Sequence, residues 1–115
     1  MQEILTQLNR VRGVGGSLLV SGEGLAMASA LREGTDEAQL SATIGNLIEH
    51  SQRLCKHLEL GATRHVHAAS EQGGLLLLAA GNGYLVVVVD PAANLALLQL
   101  ETKPFIERIA QRLAL

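Results

Sequence analysis

Between Asp36 and Leu60 the apolar residues fall at Leu40, Ile44, Leu47, Ile48, Leu54, Cys55 and Leu58. Gaps of three, four and seven place all of them on one stripe of a helix with 3.6 residues per turn. Thr35-Asp36 ahead of the stripe supplies a cap, and Gly61 behind it supplies a stop. Such a helix would be roughly 37 Å long, enough to lie across a whole small sheet. A second face carries the small residues Ala38, Ser41, Ala42 and Gly45. Gly45 in mid-helix costs about 1 kcal/mol relative to alanine, so its presence asks for a reason. Small residues let another backbone come close. The pattern therefore predicts a two-sided helix, with a greasy face on its own sheet and a small face turned to a second copy or to solvent.

What packs against that helix must be aliphatic. Hydrophobic residues make up 48% of the 115-residue chain, yet there is no Trp, one Tyr and one Phe. That length suits one domain with a single core of Leu, Val, Ile and Ala, over residues 1–115. A chain this apolar hides surface well by oligomerising. Net charge is −2, with the basic residues dispersed. Neither a nucleic-acid surface nor an anionic-membrane patch fits that distribution, and base stacking lacks aromatic residues. The single Cys55 cannot close an internal disulfide, which suits a reducing compartment. No apolar run reaches the ~20 residues of a bilayer span, and Met1-Gln2-Glu3 does not open a signal peptide. A cytoplasmic protein is expected.

Taken in order, Ile4, Leu5, Leu8 and Val11 are spaced for one face of a short helix that Gly13 can end. Gly15–Ser21 and Leu25–Leu31 flank Gly22-Glu23-Gly24 and read as a β-hairpin. In its second strand Leu25, Met27, Ser29 and Leu31 alternate with alanines. Beyond the long helix, Thr63–Ser70 reads as a strand with Arg64, Val66 and Ala68 on one side and His65, His67 and Ala69 on the other. Leu75–Ala80 and Tyr84–Val89 are continuously apolar, as strands covered on both faces are, so they should be central. Asp90-Pro91 has the form of a helix start, and a 3–4 spacing then runs from Leu95 to Leu113. Pro104 lacks a backbone donor, which predicts a kink or break near Leu100–Lys103. The expected order is helix, two strands, helix, three strands, helix.

Candidate chemistry is sparse. Gly13-Val14-Gly15-Gly16 loosely imitates a dinucleotide loop, but that loop follows a strand and opens a helix, the reverse of the order here. His50, His57, His65, His67 and Cys55 are possible metal ligands, yet their spacing matches no zinc module, and Cys55 lies on the greasy stripe. No third group orients a Cys-His nucleophile. Among the carboxylates, Glu23 is in a turn, Glu33, Asp36 and Glu37 flank a helix start, and Glu49, Glu59, Glu101 and Glu107 are scattered. Acids at a helix start are explained by its dipole alone. No catalytic residue, metal or cofactor is expected, and the chain does not read as an enzyme.

Val14–Val20 followed by Gly22-Glu23-Gly24-Leu25 resembles the opening of the Roadblock family, which includes Roadblock-type dynein light chains and bacterial MglB-like regulators. Tyr84–Asp90 followed by Ala93–Leu98 resembles the bacterial branch, with Ala96 where that branch usually has glycine. The resemblance spans essentially the whole chain and rests on structural motifs. It implies an α+β fold of the Roadblock/longin-like kind, a five-stranded antiparallel sheet with the long helix on one face and terminal helices packed on it. It also implies a homodimer formed through Asp36–Leu60 and Thr63–Ser70, which would place Ala38, Ser41, Ala42, Gly45, Glu49, Arg64, Val66 and Ala68 at the interface. The implied partner is a Ras-like small GTPase, whose own catalytic groups the dimer repositions without an arginine finger. The chain is shorter than MglB-type regulators, so binding or scaffolding is expected ahead of activation of hydrolysis. The alternative is a structural adaptor of dynein-light-chain type whose partner is not a GTPase.

Overall fold

A computed structural model of the protein describes residues 1–114. Its elements are α1 (Gln2–Leu8), β1 (Val14–Ser21), β2 (Ala26–Ala30), α2 (Glu37–His57), β3 (His65–Ser70), β4 (Gly73–Ala80), β5 (Gly83–Val89) and α3 (Leu95–Leu113). The five strands form one antiparallel sheet in the order β2-β1-β5-β4-β3. The element order and the α+β architecture are those expected. The apolar runs in β4 and β5 are continuous because helices cover both sheet faces. Leu19, Leu76, Leu85 and Val87 pack beneath α1 and α3, while Leu18, Leu77, Tyr84 and Val86 pack beneath α2. β5 is central, and β2 and β3 are the two edges.

Each terminal helix is fixed by a few groups. Ile4, Leu5 and Leu8 of α1 are fully or almost fully buried. Behind them the Ser17 hydroxyl donates to Asn9 Oδ1 at 2.7 Å, and Asn9 Nδ2 donates to the Ala30 carbonyl at 2.7 Å. This polar bridge ties the end of α1 to both hairpin strands. It leaves the buried Ser17 satisfied, which is the condition for placing a hydroxyl in a core.

Three local expectations are corrected. The last helix starts at Leu95, not at Asp90-Pro91. Asn94 is the cap, its side chain accepting from Leu97 N–H at 3.1 Å. The Asp90 N–H is committed to the Gly13 carbonyl and the Asp90 carbonyl to Ala93 N–H, so Asp90 closes the sheet and makes a turn. Secondly, α3 runs through Pro104 without a break. Thirdly, α2 stops at His57, ahead of Gly61. Leu60 N–H reaches the Cys55 carbonyl at 2.8 Å and Glu59 N–H the Lys56 carbonyl at 3.1 Å, the two bonds of a Schellman stop. The left-handed position belongs to Glu59, at φ +56°, rather than to a glycine.

The α2 start behaves as expected, with the Asp36 side chain accepting from Gln39 N–H at 3.0 Å. Its stripe is only partly buried. Ile44 and Ile48 are in the core and Leu40 and Leu47 are half-buried, whereas Leu54 and Leu58 are 61% and 60% exposed. The cause is the path of the helix. Glu37 meets Ser29 of β2, Gln52 bonds the Tyr84 hydroxyl at the start of β5, and the last turn passes the end of the sheet.

Candidate self-association surface

The outer edge of β3 has no strand beside it among the described residues. In an antiparallel ladder a residue turns both its N–H and its C=O to the same neighbour, and alternate residues turn the other way. Ala79 N–H donates to the Arg64 carbonyl at 2.8 Å, and the same register pairs Val66 with Leu77, Ala68 with Leu75 and Ser70 with Gly73. Arg64, Val66, Ala68 and Ser70 therefore bond inwards to β4. His65, His67 and Ala69 direct their backbone groups outwards. Such an edge is a template for another strand, and this one carries no proline or lysine to block it.

Side chains follow the same parity. Val66 opposite Leu77 is on the α2 face, where it is half-buried between exposed Arg64 and Ala68. His65, His67 and Ala69 are on the α1/α3 face and exposed, because α3 packs on β4 and leaves β3 open. Thr63 Oγ1 donates to Cys55 Sγ at 3.4 Å, so the entry to β3 is tied to the end of α2. Cys55 is accordingly half-buried by its own chain.

The flank of α2 beside this edge is not the one expected. An added Cβ on Gly45 would lie 3.1 Å from the Glu23 carbonyl oxygen and 3.1 Å from Gly24 Cα. Ser41 is buried, and its carbonyl borders Gly24 as well. The small residues Ser41 and Gly45 thus admit the hairpin turn of the same chain, on the β2 side of the helix. At roughly 100° per residue, Ala38, Ala42 and Glu49 lie on the outer part of that same half. All three are exposed, and Glu49 pairs with Arg53 at 2.9 Å on the outer surface. The structure therefore does not bring Ala38, Ser41, Ala42, Gly45 and Glu49 together with Arg64, Val66 and Ala68. On the flank of α2 opposite Gly45, half-buried Leu40 and Leu47 share an apolar cluster with Val66 of β3 and Leu75 of β4, and exposed Leu54 continues their line. Leu54, the last of the three, is 61% exposed, and the spacing of seven is what keeps all three on one line of the helix.

The other candidates stay apart. Exposed His50 and His57 are on α2, on the opposite sheet face from the side chains of His65 and His67. Among the described residues, no three His, Cys, Asp or Glu side chains gather in one chain as a metal site would require. Gly13 turns the chain at φ +98°, packed against Ala93, between α1 and β1. No helix among the described residues is long and apolar enough to cross a membrane.

With this geometry in view, similarity to known proteins is informative. The family model described as Roadblock/LC7 domain matches residues 1–90. The uncharacterized protein MJ1340 of Methanocaldococcus jannaschii is 29% identical over 109 residues, covering 95% of this chain and 96% of that protein. In structure, the chain is similar to a Roadblock/LC7 domain from Streptomyces avermitilis, with TM-score 0.90, 19% identity and coverage of 100% and 98%. It is also similar to Myxococcus xanthus MglB, with TM-score 0.92, 17% identity and coverage of 98% and 94%. These likenesses concern the fold, which has the same layers and element order. The chain belongs to the Roadblock/LC7 domain family.

Proposed function

We propose that this chain is a non-catalytic, cytoplasmic regulator that pairs with a second copy of itself and binds a Ras-like small GTPase. One observation carries the pairing. The open β3 edge directs the backbone groups of His65, His67 and Ala69 outwards, and half-buried Val66 of the same strand shares an apolar cluster with half-buried Leu40 and Leu47 of α2. A two-fold axis through that edge would join two sheets into one and cover both flanks at once. This replaces the helix surface expected around Gly45, while retaining β3 and its residues Arg64, Val66 and Ala68. The GTPase partner is supported by membership of the Roadblock/LC7 family and by the MglB-like fold.

The test has two stages. Light scattering of the purified protein should give twice the chain mass, and a lasting monomer would refute the pairing. Capture of Ras-like GTPases from native lysate, loaded with GDP or a non-hydrolysable GTP analogue, should then recover one nucleotide state only. An adaptor whose partner is not a GTPase is the second reading. It is favoured by a separate apolar patch on α3, where Leu97 and Leu100 are 50% and 70% exposed. Partners recovered regardless of nucleotide, with no GTPase among them, would select it.

A further inference from the structure

We infer that the pairing is proton-sensitive, because the β3 seam sets His67 against the second copy's His67 and two protonated imidazoles repel. The inference rests on the pairing proposed above and adds to it a regulation of the same surface.

Register decides which residues meet. If both copies keep α2 on the same side of the joined sheet, opposed residues share a face, so His67 opposes only a residue of its own parity. The outward backbone groups belong to His65, His67 and Ala69. A two-fold axis through His67 pairs His65 with the second copy's Ala69 and His67 with the second copy's His67. Every outward N–H and C=O of the strand then finds a partner. An axis at Val66 leaves Ala69 without a strand partner and an axis at Ala68 leaves His65 without one, so ladder bonds go unmade in both. On the α2 face the first register sets Val66 against Ala68 and Arg64 against Ser70, with no like charges opposed. Only the residue on the axis meets its own copy, and that residue titrates.

The two His67 Cα atoms are then about 5.5 Å apart, with both imidazoles on the α1/α3 face. The other charged groups of that face decide whether the repulsion survives. His65 lies diagonally about 7–8 Å from the second copy's His67, and the second copy's Glu71, two residues past Ala69, is the opposite diagonal neighbour of His65. These two contributions have opposite signs and offset one another. The two His65 are about 14 Å apart, beyond a Debye length at physiological salt. Asp90 lines a cleft of about 190 Å³ with His67 of its own chain, so it acts alike before and after pairing. Lys103 is on the α3 flank away from α1, since Arg108 and Arg112 on the other flank reach Gln7 and Glu3. It too stays with its own chain, and β4 carries no charged residue. What remains is the His67 pair. Each free chain can protonate His67 on its own, whereas two joined chains cannot protonate both without repulsion. Association therefore weakens as pH falls through the imidazole range. Two unit charges about 6 Å apart at an exposed site weaken it roughly three- to tenfold at low salt, and less at physiological ionic strength.

The experiment is the dimer dissociation constant of labelled protein at low salt, from sedimentation across a dilution series near neutral pH and at about pH 5, where carboxylates are still mostly ionised. Wild type should dissociate roughly three- to tenfold more readily at the lower pH. His67→Ala should pair equally well at both, because its backbone bonds are untouched, while His65→Ala should keep the dependence. Cross-linking reads the register without any proton. In a Cys55→Ser background, a short bifunctional thiol reagent should join His67→Cys copies far faster than His65→Cys copies. The Cα atoms are about 5.5 Å apart at the first position and about 14 Å at the second. A wild-type dimer whose affinity ignores pH, or a His67→Ala dimer as acid-sensitive as wild type, overturns the switch and leaves the pairing standing. A dimer in which His67→Cys cross-links no faster than His65→Cys overturns the register and the switch with it. A wild-type monomer at both pH values overturns the pairing itself.

Discussion

Gly24 and Gly45 meet with no side chain between them: a Cβ added to Gly24 would lie 2.6 Å from Gly45 Cα. This contact locks the β1–β2 turn onto the middle of α2, and it explains why a helix tolerates glycine at its centre. Because Gly24 also has φ +87°, Gly24→Ala should destabilise by about 2–3 kcal/mol, combining left-handed strain with the clash. Gly45→Ala gains about 1 kcal/mol of helix propensity but must push the turn away, for a net loss of about 1 kcal/mol. Urea denaturation of the two variants checks both signs. A stabilised Gly45→Ala would mean that the turn yields freely. Gly45→Leu is consequently a test of folding rather than of association.

Association is better tested on the strand. The Ala69 N–H faces outwards, so Ala69→Pro leaves the β3–β4 ladder made by Arg64, Val66, Ala68 and Ser70 intact. The expected result is an unchanged far-UV circular dichroism spectrum with the mass of a monomer. Leu54→Glu puts a charge on the adjoining flank at an exposed site and should weaken the dimer with little loss of stability. If both variants remain fully dimeric, the interface is not at β3.

The stop of α2 holds an avoidable strain. Glu59 occupies the left-handed position of the Schellman stop at φ +56°, where a Cβ costs roughly 1–2 kcal/mol. Glu59→Gly should raise stability by about 1 kcal/mol or slightly less, since glycine also gains entropy in the unfolded chain. A higher thermal midpoint is the readout. A lower one would show that the Glu59 side chain makes a compensating contact.

The start of α3 separates two possible caps. Asn94→Ala removes the side-chain acceptor of Leu97 N–H and should cost about 1 kcal/mol. Asp90 contributes its backbone groups to Gly13 and Ala93, so Asp90→Ala should cost less than about 0.5 kcal/mol. Chemical denaturation gives the ranking, and the opposite order would restore Asp90 as the functional helix start.

What was legible in the sequence is what depends on near neighbours or on burial as such. The cap at Asp36 and the inward stripe of Ile44 and Ile48 follow from helix geometry within a few residues. The two-sided burial of β4 and β5 follows from apolar runs without alternation. The faces of β3 follow from a period of two, which pairing cannot alter. Tertiary structure decided the rest. Ser41 and Gly45 are small because Gly24 of a distant hairpin lies against them, and no local pattern says which backbone a small residue is meant to admit. Leu54 and Leu58 fit the stripe as well as Ile44, but the sheet ends before they reach it. Asp90-Pro91 has the chemistry of a helix start, yet pairing with Gly13 commits its backbone to the sheet first. Which residues of β3 direct their backbone outwards is set by the β4 pairing, so the open edge is defined only once the sheet is assembled.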